Sequence, residues 1–142
     1  LLFVWSEAHA LAGHSLLVAA DGGCLACEMG ATGTFNKRAL EWGDENAGIM
    51  RIPACGGYFQ PYGIINISAI RRLGAEHAIH TLQNGSTRSS IWSWLSSETT
   101  IANNNGKLRA EFRAFFGGTI CGDQVLRADW PPSSNCLLCG EK

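Results

Sequence analysis

The clearest periodic pattern of the chain runs from Ile64 to Gln83. Its apolar positions recur every three or four residues, at Ile67, Ile70, Leu73, Gly74, Ala78 and Leu82. Polar side chains such as Arg72 and His80 fall mostly between them, which is the pattern of a helix with one apolar face. Gly85 follows, and glycine readily adopts the left-handed conformation that ends a helix. The sequence therefore predicts a core helix at about residues 64–83.

Shorter apolar runs predict β-strands on both sides of this helix. Two precede it, at Leu2–Val4 and Gly13–Val18, and two follow it, at Ser90–Leu95 and Gln124–Ala128. These runs are rich in the branched and aromatic side chains that fit a pleated surface. The segment Lys107–Phe116 is compatible with either a helix or a strand.

The stretch between Glu28 and Ala54 has little periodicity. Four glycines interrupt it, and acidic and basic side chains alternate along it. Connections of this length without structure of their own are rare in compact domains, and they are typical of lids, binding loops or disordered spans. Both a binding loop and a disordered span remain open for this stretch.

Composition excludes several classes of protein. The chain has 142 residues, 46% of them hydrophobic, and a formal net charge of −1. Without a basic run there is no electrostatic argument for binding nucleic acid or an anionic membrane. No apolar stretch approaches the ~20 residues that span a bilayer. The opening residues Leu1–Trp5 lack the charged start of a signal peptide, and we interpret the chain as a piece of a larger protein.

Two Cys-x-x-Cys pairs bracket the chain, Cys24 with Cys27 and Cys136 with Cys139. One such turn offers two thiolates, so two turns together supply the four ligands of a structural zinc site. Three disulfides in a secreted domain are an alternative, but disulfide frameworks mostly serve smaller chains. A thioredoxin-like redox pair should open a helix, whereas a glycine-rich stretch follows Cys27. We therefore favour zinc over both alternatives.

The order of these features resembles the ThiF/MoeB/HesA family, whose members activate ubiquitin-like and sulfur-carrier proteins by adenylation. The chain contains, in this order, a strand, a Cys pair, a long loop, Cys55 between Pro53–Ala54 and Gly56–Gly57, a small-residue helix, antiparallel strands and a second Cys pair. The resemblance covers nearly all of residues 1–142, but only the C-terminal half of such a domain. It implies an α/β fold: the C-terminal part of a Rossmann-like adenylation domain with mixed or antiparallel strands, one long core helix and a four-Cys zinc site.

The resemblance also implies roles for individual cysteines. Cys24, Cys27, Cys136 and Cys139 match the structural zinc ligands, and residues 28–57 match the crossover loop. Cys55 matches the cysteine that accepts the activated carboxylate as a thioester or carries sulfur. A thiol is a good nucleophile, and the N-terminus of a following helix lowers its pKa. The alternative for Cys55 is a buried, inert thiol.

Function and partners follow from the same resemblance. It implies an ATP-dependent cytoplasmic enzyme, homodimeric when intact, which acts on a ubiquitin-like or sulfur-carrier protein. Phe59–Tyr62 replaces a small aliphatic run and favours the bacterial members linked to conjugating-enzyme-like domains. No glycine-rich phosphate loop is present, so ATP and magnesium are assigned to the missing N-terminal half and this piece alone is expected to be inactive. The alternative is a non-catalytic, zinc-stabilised protein-binding module that uses the stretch 28–54.

We expect structural roles for the remaining chemistry-bearing side chains. The candidates considered are His9, His14, His77, His80 and Cys121. His77 and His80 lack the four-residue spacing of a metalloprotease helix and are interpreted as histidines of the helix surface. Trp92 and Trp94 share one face of a strand and are expected to pack a core. The other three tryptophans, Trp5, Trp42 and Trp130, are expected to be partly exposed, and Trp42 is the candidate for contact with a partner.

Overall fold

The computed structural model describes residues 1–28, 35, 37–43, 50–51, 58–59, 62–117, 120, 122–136 and 138–139. The strands are β1 (Leu2–Ser6), β2 (Ala12–Leu17), β3 (Leu40–Trp42), β4 (Met50–Arg51), β5 (Tyr58–Phe59), β6 (Ser90–Leu95), β7 (Gly106–Leu108) and β8 (Gln124–Asp129). The α-helices are α1 (Ile64–Asn84), α2 (Glu98–Asn103) and α3 (Ala110–Phe115). Among these residues no helix is both long and apolar enough to traverse a bilayer.

A four-stranded sheet in the order β1-β2-β6-β8 lies at the centre, and each neighbouring pair is antiparallel. The register places Trp5 opposite His14, and Ser15 opposite Trp92. Two small sheets pair β3 with β7 and β4 with β5. The mixed α/β class with antiparallel strands and one long helix is therefore confirmed. Continuation of this sheet into a Rossmann-like adenylation domain stays a prediction.

Helix α1 covers one face of the central sheet. It begins after Gly63 and ends at Gly85, which has the left-handed φ of 60° that the sequence predicts for a C-cap. Ile70 and Leu73 are buried against the sheet in a cluster with Trp92 and Trp94. This burial confirms the expectation for the two tryptophans. The predicted end of the helix differs from the observed one by a single residue.

Two glycines allow α1 to lie close to the strands. A Cβ at Gly13 of β2 would overlap the side chain of Ile70, and a Cβ at Gly74 would lie 2.8 Å from Cγ2 of Val4. Real side chains do not approach this closely, so both positions favour glycine for steric reasons. Gly74 is therefore the small residue of α1 that allows this close approach to β1.

The short elements cover the opposite face of the sheet. Successive side chains of a strand point to opposite faces, so Trp92 and Trp94 face α1 while Ile91 and Leu95 face away. On the far side, a buried cluster joins β2, β6, α2, α3 and the segment around β3: Leu11, Ala12, Ala39, Leu40, Leu95, Ile101, Phe112 and Ile120. The segment Lys107–Phe116, left open by the sequence, forms β7 followed by α3.

Three expectations are wrong. His77 is not at the helix surface but is 1% exposed, because Ser15 and Ser90 satisfy both ring nitrogens at 3.0 Å each. Leu82, predicted on the apolar face, is 84% exposed near the end of α1. Trp130 is 1% exposed rather than partly exposed. His80 lies at the surface as expected.

Within the stretch 28–57 the structure describes residues 28, 35, 37–43 and 50–51, and these include the short strands β3 and β4. The interpretation of the stretch as a crossover loop stays a prediction. Leu40 is 1% exposed and pairs with Leu108 in the small sheet of β3 and β7. Trp42 of the same strand is partly buried and packs on the ring of His9, with centroids 5.1 Å apart. Contact between Trp42 and a partner protein stays a prediction.

Candidate metal centre

The first Cys pair follows β2 through a tight turn. Gly22 has a φ of 129°, a backbone conformation that strongly favours glycine. A Cβ there would also lie 2.7 Å from Cβ of Ser89. The chain then forms a 3-10 turn, in which the N–H of Cys27 donates to the carbonyl of Cys24 at 3.2 Å. This turn places the two thiols on the same side of the backbone.

The second Cys pair is held beside the first by Trp130, the residue after β8. The indole N–H of Trp130 donates to the carbonyl of Cys24 at 3.1 Å. The carbonyl of Trp130 in turn accepts the N–H of Gly23 at 2.7 Å. The N–H of Cys136 donates to the carbonyl of Ser133 at 3.0 Å. Hydrogen bonds of Trp130 therefore hold the segments of the two Cys pairs together even without a metal ion.

The four cysteines converge as the spacing predicts. Their Sγ atoms all lie within 4.8 Å of one another. Cys24 is 3.8 Å from Cys27, 3.6 Å from Cys136 and 3.6 Å from Cys139, and Cys27 is 3.2 Å from Cys139. Four sulfurs at about 2.3 Å from one zinc ion would be about 3.8 Å apart in a tetrahedron. The observed spacing fits such a site, and all four residues are free thiols.

Backbone N–H groups add to the fit. The N–H of Cys24 donates to Sγ of Cys27 at 3.2 Å, and the N–H of Ser133 donates to the same sulfur at 3.5 Å. Hydrogen bonds from N–H groups stabilise the negative charge of a thiolate, which is the form that binds a metal. One donor belongs to the segment of the first Cys pair and the other to the segment of the second, so both segments orient the buried sulfur of Cys27.

Without a cation the thiols are not equivalent. The backbone N–H of Leu138 lowers the pKa of Cys136 to about 7. The hydrogen bond between the side chains of Cys139 and Cys27 raises the pKa of Cys139 to about 12. Burial raises the pKa of Cys24. A metal ion must displace the protons that remain, so binding releases protons and is favoured as the pH rises.

The other two cysteines, Cys55 and Cys121, lie outside the described residues. The nucleophilic role of Cys55 therefore stays a prediction, as does the structural role of Cys121. Sequence reasoning missed Trp130 as a support of the centre. Its position six residues before Cys136 was visible, but nothing in the sequence showed that its indole would reach the first pair.

A second polar cluster has the carboxylate–imidazole–hydroxyl arrangement of a catalytic triad, but its hydroxyl is not accessible to solvent. Nδ1 of His14 lies 2.9 Å from Oγ of Ser93, and Nε2 lies 2.7 Å from Oε1 of Glu7. The Glu7 carboxylate also accepts the N–H groups of Ala39 at 2.5 Å and Leu40 at 3.0 Å. His14 and Ser93 are both 0% exposed. A substrate cannot reach this hydroxyl, so the cluster fixes β3 to the sheet rather than performing catalysis.

No protein-family model matches this chain, and neither a curated protein nor a solved structure is significantly similar to it. The resemblance to the ThiF/MoeB/HesA family rests on the order of the sequence features.

Proposed function

We propose that the chain binds one zinc ion through Cys24, Cys27, Cys136 and Cys139, and that this ion is structural. The convergence of four sulfurs from the two ends of the described chain within 4.8 Å carries this proposal. Four protein ligands leave no open position for water or substrate, which distinguishes structural from catalytic zinc. The ion would hold the turn after β2 to the segment after β8.

We further propose that this zinc-bound unit is the C-terminal part of a ThiF-type activating enzyme. The order of the observed elements supports the proposal: β2 leads into the first Cys pair, α1 follows the stretch 28–57, and antiparallel β6 and β8 lead to the second pair. In the intact protein, Cys55 would accept the activated C-terminal carboxylate of a ubiquitin-like or sulfur-carrier protein as a thioester. The intact enzyme would be a cytoplasmic homodimer.

We assign no ATP or magnesium contact to this chain. A phosphate site needs a glycine-rich turn between a strand and a helix, or a comparable cluster of backbone N–H groups. The sequence offers no such turn, and adenylation is therefore assigned to the N-terminal half of the proposed enzyme. What remains to the present chain is to accept and transfer the activated carrier.

The reactivity of Cys55 tests this role. With zinc bound, limiting iodoacetamide should label Cys55 faster than Cys121, because the proposed nucleophile must be reachable and at least partly ionised. In the complete protein with its carrier and ATP, Cys55→Ala should abolish the thioester-linked adduct on a non-reducing gel while AMP is still formed. Cys121→Ala is the matched control and should leave the adduct intact. An adduct that survives Cys55→Ala contradicts the assignment.

A specific observation favours the second candidate function, a non-catalytic binding module. On α1, Ile64 is 70% exposed, Ile65 81%, Ile79 53% and Leu82 84%. These side chains share the outer side of the helix, opposite the buried Ile70. Ile64 and Ile65 begin the helix, and Ile79 and Leu82 lie about 21 Å further along it. They form two separate exposed apolar pairs, and exposed apolar side chains of this kind occur at sites that bind another protein. Equal labelling of Cys55 and Cys121 would favour this module over the enzyme.

A further inference from the structure

The central sheet has two edge strands, β1 and β8, and the outer edge of β1 has unpaired backbone groups. The residues Leu1 and Val18 form a hydrogen-bonded pair between β1 and β2. Hydrogen-bonded and non-hydrogen-bonded pairs alternate along antiparallel strands. The N–H and C=O groups of Leu2, Val4 and Ser6 therefore point away from β2, and they hydrogen-bond to no other part of the described chain.

The two edge strands differ in charge. β1 has no charged side chain, and Val4 at its centre is 46% exposed. On β8, Arg127 and Asp129 are charged and exposed. Pro131 and Pro132 follow that strand. Charged side chains and prolines at an edge oppose pairing with another strand. Of the two edges of this sheet, β1 is therefore the one that another strand can extend.

The flank of α1 that lies above β1 is apolar as well. Gly74 marks this flank, because a Cβ there would lie 2.8 Å from Cγ2 of Val4. Residues four, seven and eight positions away along a helix lie within a quarter turn of the same flank. These residues are Ala78, Ile67 and Leu82, and Leu82 is 84% exposed. An apolar helix flank thus adjoins the uncharged strand edge.

We propose that the outer edge of β1 and the adjoining flank of α1 pair with the same surface of a second copy of the chain. The two β1 strands would run antiparallel about a twofold axis at Val4, perpendicular to the sheet, and twofold dimers are the commonest oligomers. Leu2 would lie opposite Ser6 of the second copy, so every outward N–H and C=O group would gain a partner. The inference does not rest on the proposed enzyme activity, because this pairing needs neither Cys55 nor ATP.

The side chains of β1 suit this register. Val4 would face Val4 of the second copy, and on the other face of the sheet Phe3 would face Trp5 of the second copy. Aromatic side chains directly opposite each other stabilise a pair of strands. Phe3 and Trp5 are only partly buried within one copy, so pairing would bury them further. The twofold axis also keeps the two α1 helices on one face of the joined sheet, side by side.

The oligomeric state of the zinc-loaded chain tests the proposal. Sedimentation velocity over a dilution series should show a dimer that dissociates as the protein is diluted. Val4→Lys places a charge at the centre of the edge and should raise the Kd of the dimer about tenfold or more. Asp129→Lys, the matched control, places a lysine at the edge of β8 and should leave the Kd unchanged. A chain that is monomeric at every concentration overturns the proposal, and so does a dimer that Val4→Lys leaves intact or that Asp129→Lys weakens equally.

A double variant and hydrogen exchange test the register independently of the fold of Val4→Lys. Leu2→Lys should weaken the dimer, and the addition of Ser6→Glu should restore it, because this register places the two new charges opposite each other. A double variant that binds no more tightly than Leu2→Lys contradicts the register. In the wild-type dimer the N–H groups of Leu2, Val4 and Ser6 should exchange slowly, while those of Arg127 and Asp129 exchange fast. Fast exchange at both edges contradicts pairing through β1, and slow exchange at β1 only within a longer protein would assign the edge to a strand from outside this chain.

Discussion

The Glu7–His14–Ser93 cluster and the cluster of four cysteines differ in what satisfies their polar groups. In the Glu7–His14–Ser93 cluster the chain itself supplies the hydrogen-bond partners. The Glu7 carboxylate accepts two backbone N–H groups and faces an imidazole nitrogen of His14 at 2.7 Å. The cluster of four cysteines brings together groups of one kind, with sulfurs 3.2 to 3.8 Å apart. When ionised, these sulfurs repel one another, and a cation bound among them would offset that repulsion.

The difference shows how a structural cluster is distinguished from a metal centre. A buried polar group is stable where the chain supplies its hydrogen-bond partner. In the first cluster every partner comes from the chain, so nothing else is needed. In the second cluster the geometry matches four ligands around an ion that the chain does not supply. The first cluster should therefore depend on its own side chains, and the second on a metal.

Removal of the metal should have the largest effect. Structural zinc contributes on the order of 10 kcal/mol of folding free energy at pH 7, which is comparable with the whole stability of a typical domain. The chelated protein should therefore lose its cooperative thermal transition in differential scanning calorimetry. Zinc should restore the transition, while magnesium, which prefers oxygen ligands, should not. An unchanged transition after verified removal of zinc contradicts the proposed role.

The Glu7 cluster should respond to a change of one side chain instead. Glu7→Gln keeps the size of the side chain but removes the charge that faces His14 and the N–H groups of Ala39 and Leu40. We expect a loss of about 3 kcal/mol of unfolding free energy, measured in urea, because one of the two accepting oxygens becomes an NH₂ donor and the charge is lost from a buried network. Glu111→Gln is the control. Glu111 is exposed and lies 3.6 Å from Arg109, so its replacement should cost less than about 0.5 kcal/mol.

His77 should make stability depend on pH. Burial lowers the pKa of His77 to about 4, from an ordinary value of 6.5. As the pH falls from about 6.5 to 4, the unfolded chain binds the proton first, so the folded chain loses about 3 kcal/mol over this window. The free energy of unfolding at several pH values should fall less steeply for His77→Gln than for the wild type. Gln83→Ala, a change of a non-titrating side chain at an exposed position of the same helix, should keep the wild-type slope.

The smallest effect is expected where α1 approaches β2. Gly13→Ala places a methyl group against the side chain of Ile70, and such overpacking costs about 1–3 kcal/mol. Gly63→Ala is the matched control, since a Cβ at Gly63 meets no atom within 4 Å. The two variants are compared by their midpoints of urea unfolding. Equal midpoints would show that α1 can shift away from the sheet without cost.

Much of the fold could be predicted because its signals are local. The period of α1 and the glycine that ends it are visible in one window of sequence, as are the apolar runs of β2, β6 and β8. The errors are of a different kind. His77 was placed at the surface because its two hydroxyl partners come from β2 and β6, and distant partners leave no local pattern. Leu82 fits the apolar period, but it lies where α1 no longer faces the sheet.

The candidate site was predictable for a similar reason. Cys-x-x-Cys spacing describes two ligands on one turn, and the convergence of two turns follows from the chemistry of a four-ligand site. The support from Trp130 could not be predicted, because it depends on the path of the chain after β8. The strand β3 could not be predicted, because it is only three residues long and is held by Glu7 and β7 rather than by its own pattern.

X-ray absorption at the zinc edge, combined with metal analysis of protein purified without added metal, tests the central claim most directly. We expect one zinc ion per chain, surrounded by four sulfurs at about 2.3 Å. Cys136→Ser should then show three sulfurs and one lighter ligand, or no metal. Protein that contains no zinc, or a zinc ion bound mainly through nitrogen and oxygen, would contradict the account.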